Sequence, residues 1–354
     1  MTEPVESVHS LPGIDLPALE RWFAAHVPDI VGPPRITLIA GGHSNLTYGV
    51  DDAYGRRFAL RRPPLGLVPP GAHDVAREYR ILGALRTTAV PVPPVVALCV
   101  DRTIMGAPFY LMQWINGWVP EDPEVVERML PAPVDRHTAA FELVDALAEL
   151  HRLDIDAAGL GDLGVREDYL PRQLERMRRI WEKVRTRELP LVEALHARLV
   201  RHCPPQRYTG IVHADYRFGN VILGGGGHLA AVLDWELCAL GDVMVDVGFL
   251  LTNWDAREDP WMNVWMAVPP TRAGGFPSRD QMLARYAQKT GFELPVMNYY
   301  RAYSYWRNAV IAEGVKRRYE AGVMAERTAD PALLESRVRE RLVLADQFLS
   351  EAGY

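Results

Sequence analysis

The segment from residue 211 to 236 constrains the fold more than any other, because it places polar groups beside two short apolar runs. His213, Asp215 and Asn220 precede the first run, and Asp234 directly follows Ala-Ala-Val-Leu at the end of the second. An ionised side chain after so apolar a stretch needs a compensating partner, and a cation is a suitable one. The pattern therefore predicts two short strands with chemically active side chains at their ends.

These residues are the set that phosphoryl transfer from a nucleotide requires. The spacing His-x-Asp-x-x-x-x-Asn at 213–220 matches the catalytic loop of protein-kinase-like enzymes. In that arrangement Asp215 accepts a hydrogen bond from the substrate hydroxyl, while Asn220 and Asp234 are the predicted magnesium ligands. The alternative is that Asp215 and Asp234 only begin turns. The combined motif favours the catalytic interpretation.

Three further residues near the motif have weaker predicted roles. Arg217 is a candidate to offset charge on the transferring phosphoryl group, although a solvated surface arginine is nearly as good an interpretation. His213 is expected to be structural. Asp246 is the one charge inside the apolar stretch 243–251, and we expect it to hydrogen-bond the catalytic loop.

Two glycine-rich segments compete as phosphate-binding loops. The run Gly224–Gly227 joins the two predicted strands without a following helix or Lys-Ser/Thr, so we interpret it as a hairpin turn. The better candidate is the segment 40–45, where Gly42 permits close backbone approach and Ser44 and Asn45 add donors. Alone this signal is weak, because any hairpin can contain Gly-Gly.

The first third of the chain also supplies candidates for contacts with the rest of the nucleotide. Arg61 lies on a predicted strand, and Glu78 on the following helix is expected to pair with it. Arg62 and Arg77 are rivals for these roles, and a surface salt bridge is the alternative. The backbone around Gln113–Ile115 is a candidate to hydrogen-bond an adenine edge.

Bulk properties exclude several classes of protein. The chain has 354 residues, 48% of them hydrophobic, and a formal net charge of −6, which argues against a nucleic-acid partner. Three scattered cysteines favour a reducing, cytoplasmic compartment over a disulfide framework. No run approaches the ~20 apolar residues of a membrane span, and no signal peptide is evident. A soluble cytoplasmic protein is expected.

Periodicity along the chain divides it into a β-rich and a helical part. We predict an N-terminal helical extension at 1–29, a nucleotide-binding β-sheet lobe at 30–115 and a helical lobe at 116–354. After a short helix capped by Asp15, the predicted strands are 36–40, 46–50, 58–62, 95–100 and 109–115, with a helix at 74–85. Predicted helices of the second part are 138–153, 191–202, 279–290, 298–321 and 331–352, interrupted by two strands within 211–234. The segment 253–277 is either a lid or a packed surface loop.

With these pieces in order, the chain resembles the aminoglycoside phosphotransferase and choline kinase-like superfamily over about residues 30–322. Within it, the chain is similar to the kinase-like domain fused to some acyl-CoA dehydrogenases. The matching segments are Gly-Gly-His-Ser-Asn-Leu-Thr-Tyr (41–48), Phe-Ala-Leu-Arg-Arg-Pro-Pro (58–64), Glu-Tyr-Arg-Ile-Leu (78–82), His-Ala-Asp-Tyr-Arg-Phe-Gly-Asn (213–220), Leu-Asp-Trp-Glu (233–236) and Gly-Asp-Val-Met-Val-Asp-Val-Gly (241–248). The resemblance implies an α+β, bilobal protein-kinase-like fold that uses ATP with Mg²⁺ and a small-molecule hydroxyl as acceptor.

Departures from the family pattern restrict the class of molecule that can accept the phosphoryl group. Asp-Trp-Glu stands where protein kinases have Asp-Phe-Gly, and no Ala-Pro-Glu segment follows, so no protein substrate is expected. The C-terminal Ser-Glu-Ala-Gly-Tyr lacks the acidic end with which many aminoglycoside enzymes hold cationic sugars. Most kinases have lysine where this chain has Arg61, and arginine can still bind phosphate.

The leading hypothesis is an ATP- and Mg²⁺-dependent phosphotransferase acting on a neutral or anionic hydroxylated metabolite, such as a hydroxyacyl thioester. The segment 298–327 carries six cations and three anions, with five aromatic residues between 299 and 306, which suits such a substrate better than a polycationic antibiotic. The alternative is that most of these charges point to solvent and that the aromatic residues pack the core. The alternatives are a catalytically inactive nucleotide-binding module, a true aminoglycoside phosphotransferase and, least favoured, a metal-dependent hydrolase.

Overall fold

The computed structural model describes residues 11–40, 45–66, 73–256, 259, 268–322 and 331–354. The chain forms two compact units. The first contains the described residues up to Gly83 together with Pro93–Trp114, and the second contains Ala84–Val92 together with Ile115–Tyr354. No helix in the described ranges combines the length and the apolar character that a membrane crossing requires.

The first unit begins with helix α1 (Leu16–His26), which starts at the residue predicted to cap it. Asp15 accepts a hydrogen bond from the Ala18 amide at 3.0 Å, satisfying one of the donors that a helix N-terminus leaves open. Trp22 and Phe23 are buried on its inner face. Their rings join an apolar cluster on one side of the sheet that follows, so burial fixes α1 against that sheet.

A five-stranded antiparallel sheet forms the rest of this unit, in the order β1-β2-β3-β5-β4. All five predicted strands are confirmed. Alternating buried residues such as Tyr48 and Val50 explain why these segments form strands with one face on the core. The strands are β1 (Arg35–Ala40), β2 (Leu46–Asp51), β3 (Arg57–Arg62), β4 (Val95–Cys99) and β5 (Phe109–Gln113), and the two further helices that begin in this unit are α2 (Val75–Leu85) and α3 (Arg102–Met105).

The second unit is mainly helical, and each of its five predicted helices is confirmed. Three more helices were not predicted from periodicity. One of them, α8, is buried along its whole length, so it has no polar face to produce an amphipathic repeat. The helices are α4 (Pro123–Met129), α5 (Pro133–Arg152), α6 (Tyr169–Val184), α7 (Pro190–Arg201), α8 (Met244–Thr252), α9 (Arg279–Thr290), α10 (Met297–Glu320) and α11 (Pro331–Glu351).

Two small antiparallel sheets lie between α7 and α8, where the sequence predicted only two strands. That count was wrong, because the segments before and after the predicted hairpin also pair. Strands of three or four residues are too short to show an alternating pattern. β6 (Thr209–Val212) pairs with β9 (Ala239–Asp242), and β7 (Val221–Leu223) pairs with β8 (Leu229–Val232).

The polyglycine segment joins β7 to β8, which confirms its interpretation as a turn. Gly227 adopts a left-handed φ of 79°, and a Cβ there would lie 2.2 Å from the Asp135 carbonyl oxygen. Both the backbone conformation and the close approach of α5 require glycine at this position.

Candidate active site

The loop between β6 and β7 carries Asp215 in an unusual backbone setting. Ala214, directly before it, has a φ of 69°, which a residue with a Cβ adopts only at a cost in free energy. Hydrogen bonds from two consecutive backbone amides to one carboxylate stabilise this conformation. The amide of His213 donates to Asp246 at 2.6 Å, and the amide of Ala214 donates to the other carboxylate oxygen at 2.8 Å.

Asp246 therefore anchors the loop, as the sequence predicted. It lies in the first turn of α8 and is fully buried. The Nε2 atom of His151, on α5, lies 3.3 Å from the same carboxylate, and the His151 Nδ1 lies 2.7 Å from the Tyr286 hydroxyl. Complete burial lowers the pKa of His151, so this ring is neutral at physiological pH.

His213 has the structural role that was expected. Its ring is fully buried, packs 4.7 Å from the Trp235 ring and places Nε2 2.9 Å from the Leu233 carbonyl oxygen. This contact joins the loop that carries Asp215 to the segment that carries Asp234. The histidine thus positions its neighbours and does not itself reach the cavity beside Asp215.

Asp215 itself is half-buried and is oriented by two neighbours in the same loop. The Asn220 side-chain amide donates to the Asp215 carboxylate at 2.7 Å and to its backbone carbonyl at 2.8 Å. The Arg217 Nε lies 3.4 Å from the other carboxylate oxygen. One carboxylate is therefore held by an amide and a guanidinium, with about a quarter of its side chain still exposed.

Asn220 and Asp234 emerge from the same end of the β7–β8 ribbon. The Leu233 amide donates to the Asn220 carbonyl at 2.8 Å, which brings Asp234 beside the loop that carries Asp215. Because the Asn220 amide nitrogen is occupied by Asp215, its side-chain oxygen is the atom left for a cation. One amide oxygen and one carboxylate fit Mg²⁺, which proteins bind through few side chains when phosphates complete the coordination.

A cavity of about 300 Å³ opens beside Asp215 within the second unit. It is also lined by Arg217, by Asn308 on α10 and by Arg341 on α11. Phe249 adds an apolar wall, and Glu121 lies at an exposed position of the lining. The cavity has the chemistry to receive a small molecule with its hydroxyl directed at Asp215.

In the first unit, three of the predicted nucleotide-binding residues come together. The Arg61 Nε lies 3.1 Å from the Glu78 carboxylate, and the Asn45 side-chain amide donates to the same oxygen at 3.3 Å. Arg62 is excluded as the partner of Glu78, since its guanidinium donates to the carbonyls of Gly13 and Met105. Strand alternation explains the difference, because adjacent residues face opposite sides of a sheet.

The remaining predicted contacts are only partly described. Gly42 and Ser44 lie outside the described residues. The Gln113 amide already donates to the Pro94 carbonyl at 2.8 Å, and the Trp114 amide lies 3.4 Å from the Arg57 carbonyl. In this segment the Ile115 amide and the Gln113 carbonyl are the groups to consider for an adenine edge.

Comparison with known proteins agrees with this geometry. The sequence profile of the phosphotransferase enzyme family matches residues 35–301. The chain belongs to that family. Acyl-CoA dehydrogenase family member 10 of Mus musculus is 32% identical over 100% of the chain, which spans 32% of that relative's length. The predicted resemblance to the kinase-like part of such dehydrogenases is confirmed.

Solved structures support the same assignment. A candidate aminoglycoside phosphotransferase of Ralstonia eutropha is 31% identical, with a TM-score of 0.79 over 95% of this chain and 98% of that one. A spectinomycin phosphotransferase solved with ADP and spectinomycin shares the fold, at 13% identity and a TM-score of 0.59 over 96% of this chain and 99% of the other. The predicted α+β fold and the predicted phosphotransferase class are both confirmed.

The sequence of this phosphotransferase offers the aromatic residues of α10 as a surface for an acyl group. That interpretation is wrong, because these residues are buried and pack the core. The Trp306 indole, for example, donates to the Val192 carbonyl at 3.0 Å. Residues 326 and 327, counted in the same charge argument, lie outside the described residues. The buried residues are Tyr299, Tyr300, Tyr303, Tyr305 and Trp306.

The sequence also missed the residues of this phosphotransferase that share the cavity with Asp215. Asn308 and Arg341 lie 88 and 121 residues after Asn220, on helices α10 and α11. No local pattern distinguishes them from other polar residues on those helices. The described part of the segment 253–277 is packed: Trp254 donates to the Pro277 carbonyl at 2.9 Å and stacks 5.2 Å from Phe218. Residues 257, 258 and 260–267 lie outside the description.

Proposed function

We propose that this phosphotransferase moves the γ-phosphoryl group of ATP, with Mg²⁺, to a hydroxyl of a small molecule. The observation that carries the proposal is the geometry of Asp215. It opens into a small cavity, on a loop whose two preceding amides are bound by the buried Asp246. A pure binding module would need no such preorganised carboxylate.

In this proposal Asp215 accepts the proton of the substrate hydroxyl and directs its oxygen at the γ-phosphorus. The new oxygen–phosphorus bond forms as the bond to the bridging oxygen breaks, and the electron pair leaves on ADP. Arg217, beside Asp215, offsets charge on the transferring group. Asn220 and Asp234 hold Mg²⁺, which when bound neutralises charge on the phosphates.

The first unit supplies the proposed contacts with the phosphates. Arg61, fixed by Glu78, is the cation for the phosphates, and Asn45 extends this group toward the predicted loop with Gly42 and Ser44. Gln113 and Ile115 remain the candidates for the adenine edge. The ADP bound to the spectinomycin phosphotransferase supports a nucleotide of this kind.

For the acceptor, we propose a neutral or anionic hydroxylated metabolite ahead of a polycationic aminoglycoside. Two guanidinium groups, those of Arg217 and Arg341, line the cavity beside Asp215. The similarity to acyl-CoA dehydrogenase relatives favours a hydroxyacyl thioester among these acceptors. The chain spans about a third of the length of the Mus musculus relative. A reducing, cytoplasmic site of action fits three cysteines that form no disulfide.

The test is an ATP-dependent mass gain in a panel of alcohols, followed by titration of Mg²⁺ in the Asp234→Ala variant. We expect phosphorylation of uncharged or anionic alcohols, and a requirement for much more Mg²⁺ once the carboxylate ligand is deleted. Asp280→Ala, at an exposed position in α9, is the matched control and should keep the parental Mg²⁺ dependence.

Three results would each contradict a different part of the proposal: the transfer reaction, the class of acceptor or the metal ligand. ATP binding without transfer to any alcohol would favour the inactive binding module. Efficient phosphorylation of kanamycin-type compounds, with no turnover of anionic alcohols, would favour the alternative that the protein is a true aminoglycoside phosphotransferase. An unchanged Mg²⁺ requirement in Asp234→Ala would remove Asp234 from the metal site.

A further inference from the structure

The peptide group that joins Ala214 to Asp215 is held by a residue from outside the loop. The Nη1 atom of Arg307, on α10, donates to the Ala214 carbonyl at 3.2 Å. On the other edge of the same peptide group, the Asp215 amide donates to the His213 Nδ1 atom at 3.3 Å. Because a peptide group is planar, contacts on both edges fix its orientation. That orientation sets the direction in which the Asp215 side chain leaves the backbone.

Arg307 and Asp246 act on the two sides of a residue in a costly conformation. Asp246 accepts a hydrogen bond from the Ala214 amide at 2.8 Å, and Arg307 donates to the carbonyl of the same residue. The peptide groups before and after Ala214 are therefore both held, which keeps this residue at its φ of 69°. A conformation of this kind persists only where the surrounding structure determines it. Arg307 supplies the charged contact that Asp246 does not provide.

The guanidinium of Arg307 supports the backbone behind Asp215 and leaves the carboxylate to other residues. Arg307 is half-buried, and its guanidinium lies 6.0 Å from the centre of the Phe249 ring. A charged donor makes a stronger hydrogen bond than a neutral one, and partial burial limits competition from water. The Asp215 carboxylate itself is contacted by Arg217 and Asn220.

The position of Arg307 also distinguishes it from a residue that binds the acceptor. Its neighbour Asn308 lines the cavity beside Asp215, whereas Arg307 is not part of that lining. Both arginine and loop belong to the second unit. The positive charge of Arg307 therefore acts on the backbone of the loop and not on a molecule in the cavity.

We propose that Arg307 is a positioning residue for phosphoryl transfer, which fixes the direction of the Asp215 carboxylate through the Ala214 carbonyl. The inference rests on the proposed function and deepens it, because it assigns control of turnover to a residue of α10. Since Arg307 does not touch the substrate, its loss should lower kcat and leave KM for ATP and for the acceptor near the parental values.

The kinetic experiment uses MgATP and the alcohol of the mass-gain panel that has the highest kcat/KM. Arg307→Met removes the donor at similar length, and displacement of the loop should lower kcat by roughly 10- to 100-fold. Arg301→Met is the matched control, because it removes another half-buried arginine of α10, whose guanidinium lies 3.7 Å from the centre of the Phe348 ring. This control should keep the parental kcat.

Two conservative variants test whether the contact itself is responsible. A single guanidinium nitrogen contacts the Ala214 carbonyl, so the one charged donor of a lysine can replace it. Arg307→Lys should therefore recover most of the turnover that Arg307→Met loses. Arg307→Gln has a shorter, uncharged donor and should be intermediate, and it keeps the test decisive if Arg307→Met does not fold. Thermal unfolding gives the folded fraction by which each kcat is corrected.

Hydrogen exchange measures the stability of the loop without any substrate. The amides of His213 and Ala214 are bound by Asp246, so they exchange when the loop opens. Loss of a hydrogen bond from a charged donor should make opening roughly 10- to 100-fold more frequent in Arg307→Met. Exchange in the peptide 211–217 should accelerate accordingly. Exchange in α5 should stay parental, as should exchange of 211–217 in the Arg301→Met control.

The outcomes distinguish this inference from the proposed function. Parental kcat per folded molecule in Arg307→Met overturns the inference and leaves the function intact. An increase in KM for the alcohol at unchanged kcat also overturns it, since Arg307 would then bind the substrate. Failure of Arg307→Lys to recover turnover, with faster exchange throughout the unit, would show a purely structural role. If no alcohol is phosphorylated, the proposed function fails, and unchanged exchange at 211–217 in Arg307→Met would remove Arg307 from the support of the loop.

Discussion

The two polar clusters of this phosphotransferase are built in different ways. In the second unit Asp215 belongs to a loop of a few residues, tied by hydrogen bonds of 2.6–2.8 Å to its own Asn220 and to the buried Asp246. In the first unit Arg61 and Glu78 come from a strand and a helix, and they meet at 3.1 Å through side chains alone.

This difference predicts that the cluster around Asp215 is more rigid than the cluster around Arg61. Backbone amides bound by a buried carboxylate hold the loop that carries Asp215 in place, which is the preorganisation that stabilisation of a charged transition state requires. The Arg61–Glu78 pair is held by side chains alone, so we expect it to change its geometry more readily when the phosphates of a nucleotide bind. We therefore expect changes in the first cluster to alter binding and changes in the second to alter turnover.

Asp215→Asn should give the largest effect. The amide cannot accept the hydroxyl proton, so turnover should fall by roughly 10²- to 10⁴-fold, the usual contribution of a positioned general base. The melting temperature should stay near the parental value, because Asp215 is half-buried and the loop is anchored elsewhere. Single-turnover kinetics measure the change, and parental turnover would remove Asp215 from the chemistry.

Asp246→Asn tests the anchor of the loop. One of the two amides it binds would face an NH₂ group, and the other would lose a charged acceptor, at a cost of roughly 3–5 kcal/mol for the two bonds. We expect a lower free energy of unfolding in urea together with reduced kcat and a nearly unchanged KM for ATP. If stability falls but kcat per folded molecule is retained, the anchor does not control catalysis.

Asp242 is another buried carboxylate of the second unit, but it does not bind the loop that carries Asp215. Comparing it with Asp246 therefore distinguishes the effect of burying a carboxylate from the effect of holding that loop. Burial raises its pKa to about 6 from 3.8, although the Tyr300 hydroxyl and the Met244 amide bind it. The raised value favours the protonated folded form, so its contribution to stability is complete below pH 3.8 and is lost as pH rises through about 6.

Asp242→Asn should therefore be more stable than the parent at neutral pH, by roughly 3 kcal/mol, because the amide carries no charge to desolvate. The advantage should shrink as pH falls from 7 to 4. Urea unfolding of both proteins at several pH values measures it. Parallel pH profiles for the two proteins would show that Asp242 does not titrate in this range.

We expect the smallest effects on KM and stability from conservative changes at two neighbouring arginines, Arg61 and Arg62. Arg61→Lys keeps the cation beside Glu78 but loses the planar fork, so we expect a few-fold rise in KM for ATP and little change in stability. Arg62→Lys should instead lower stability by about 1–2 kcal/mol, because Arg62 donates to backbone carbonyls. If Arg62→Lys changes ATP binding more than Arg61→Lys, the assignment of the two residues is reversed.

The sequence by itself determined the class of fold, the phosphotransferase class and which segment is the candidate for catalysis. His213, Asp215, Asn220 and Asp234 lie in one short stretch, where spacing and apolar runs restrict where each side chain can be. The same local logic predicted all five strands of the first sheet and the role of the polyglycine turn. These features depend on residues close in sequence, which is the range over which pattern and propensity act.

Only the tertiary structure decided which distant groups share a site. It separated Arg61 from Arg62 through strand alternation, buried the aromatic residues of α10 and brought Asn308 and Arg341 to the cavity beside Asp215. Helix periodicity states which residues share a face of one helix. Which faces of different helices meet depends on side-chain packing throughout the unit, and that information is not contained in any local stretch of the chain.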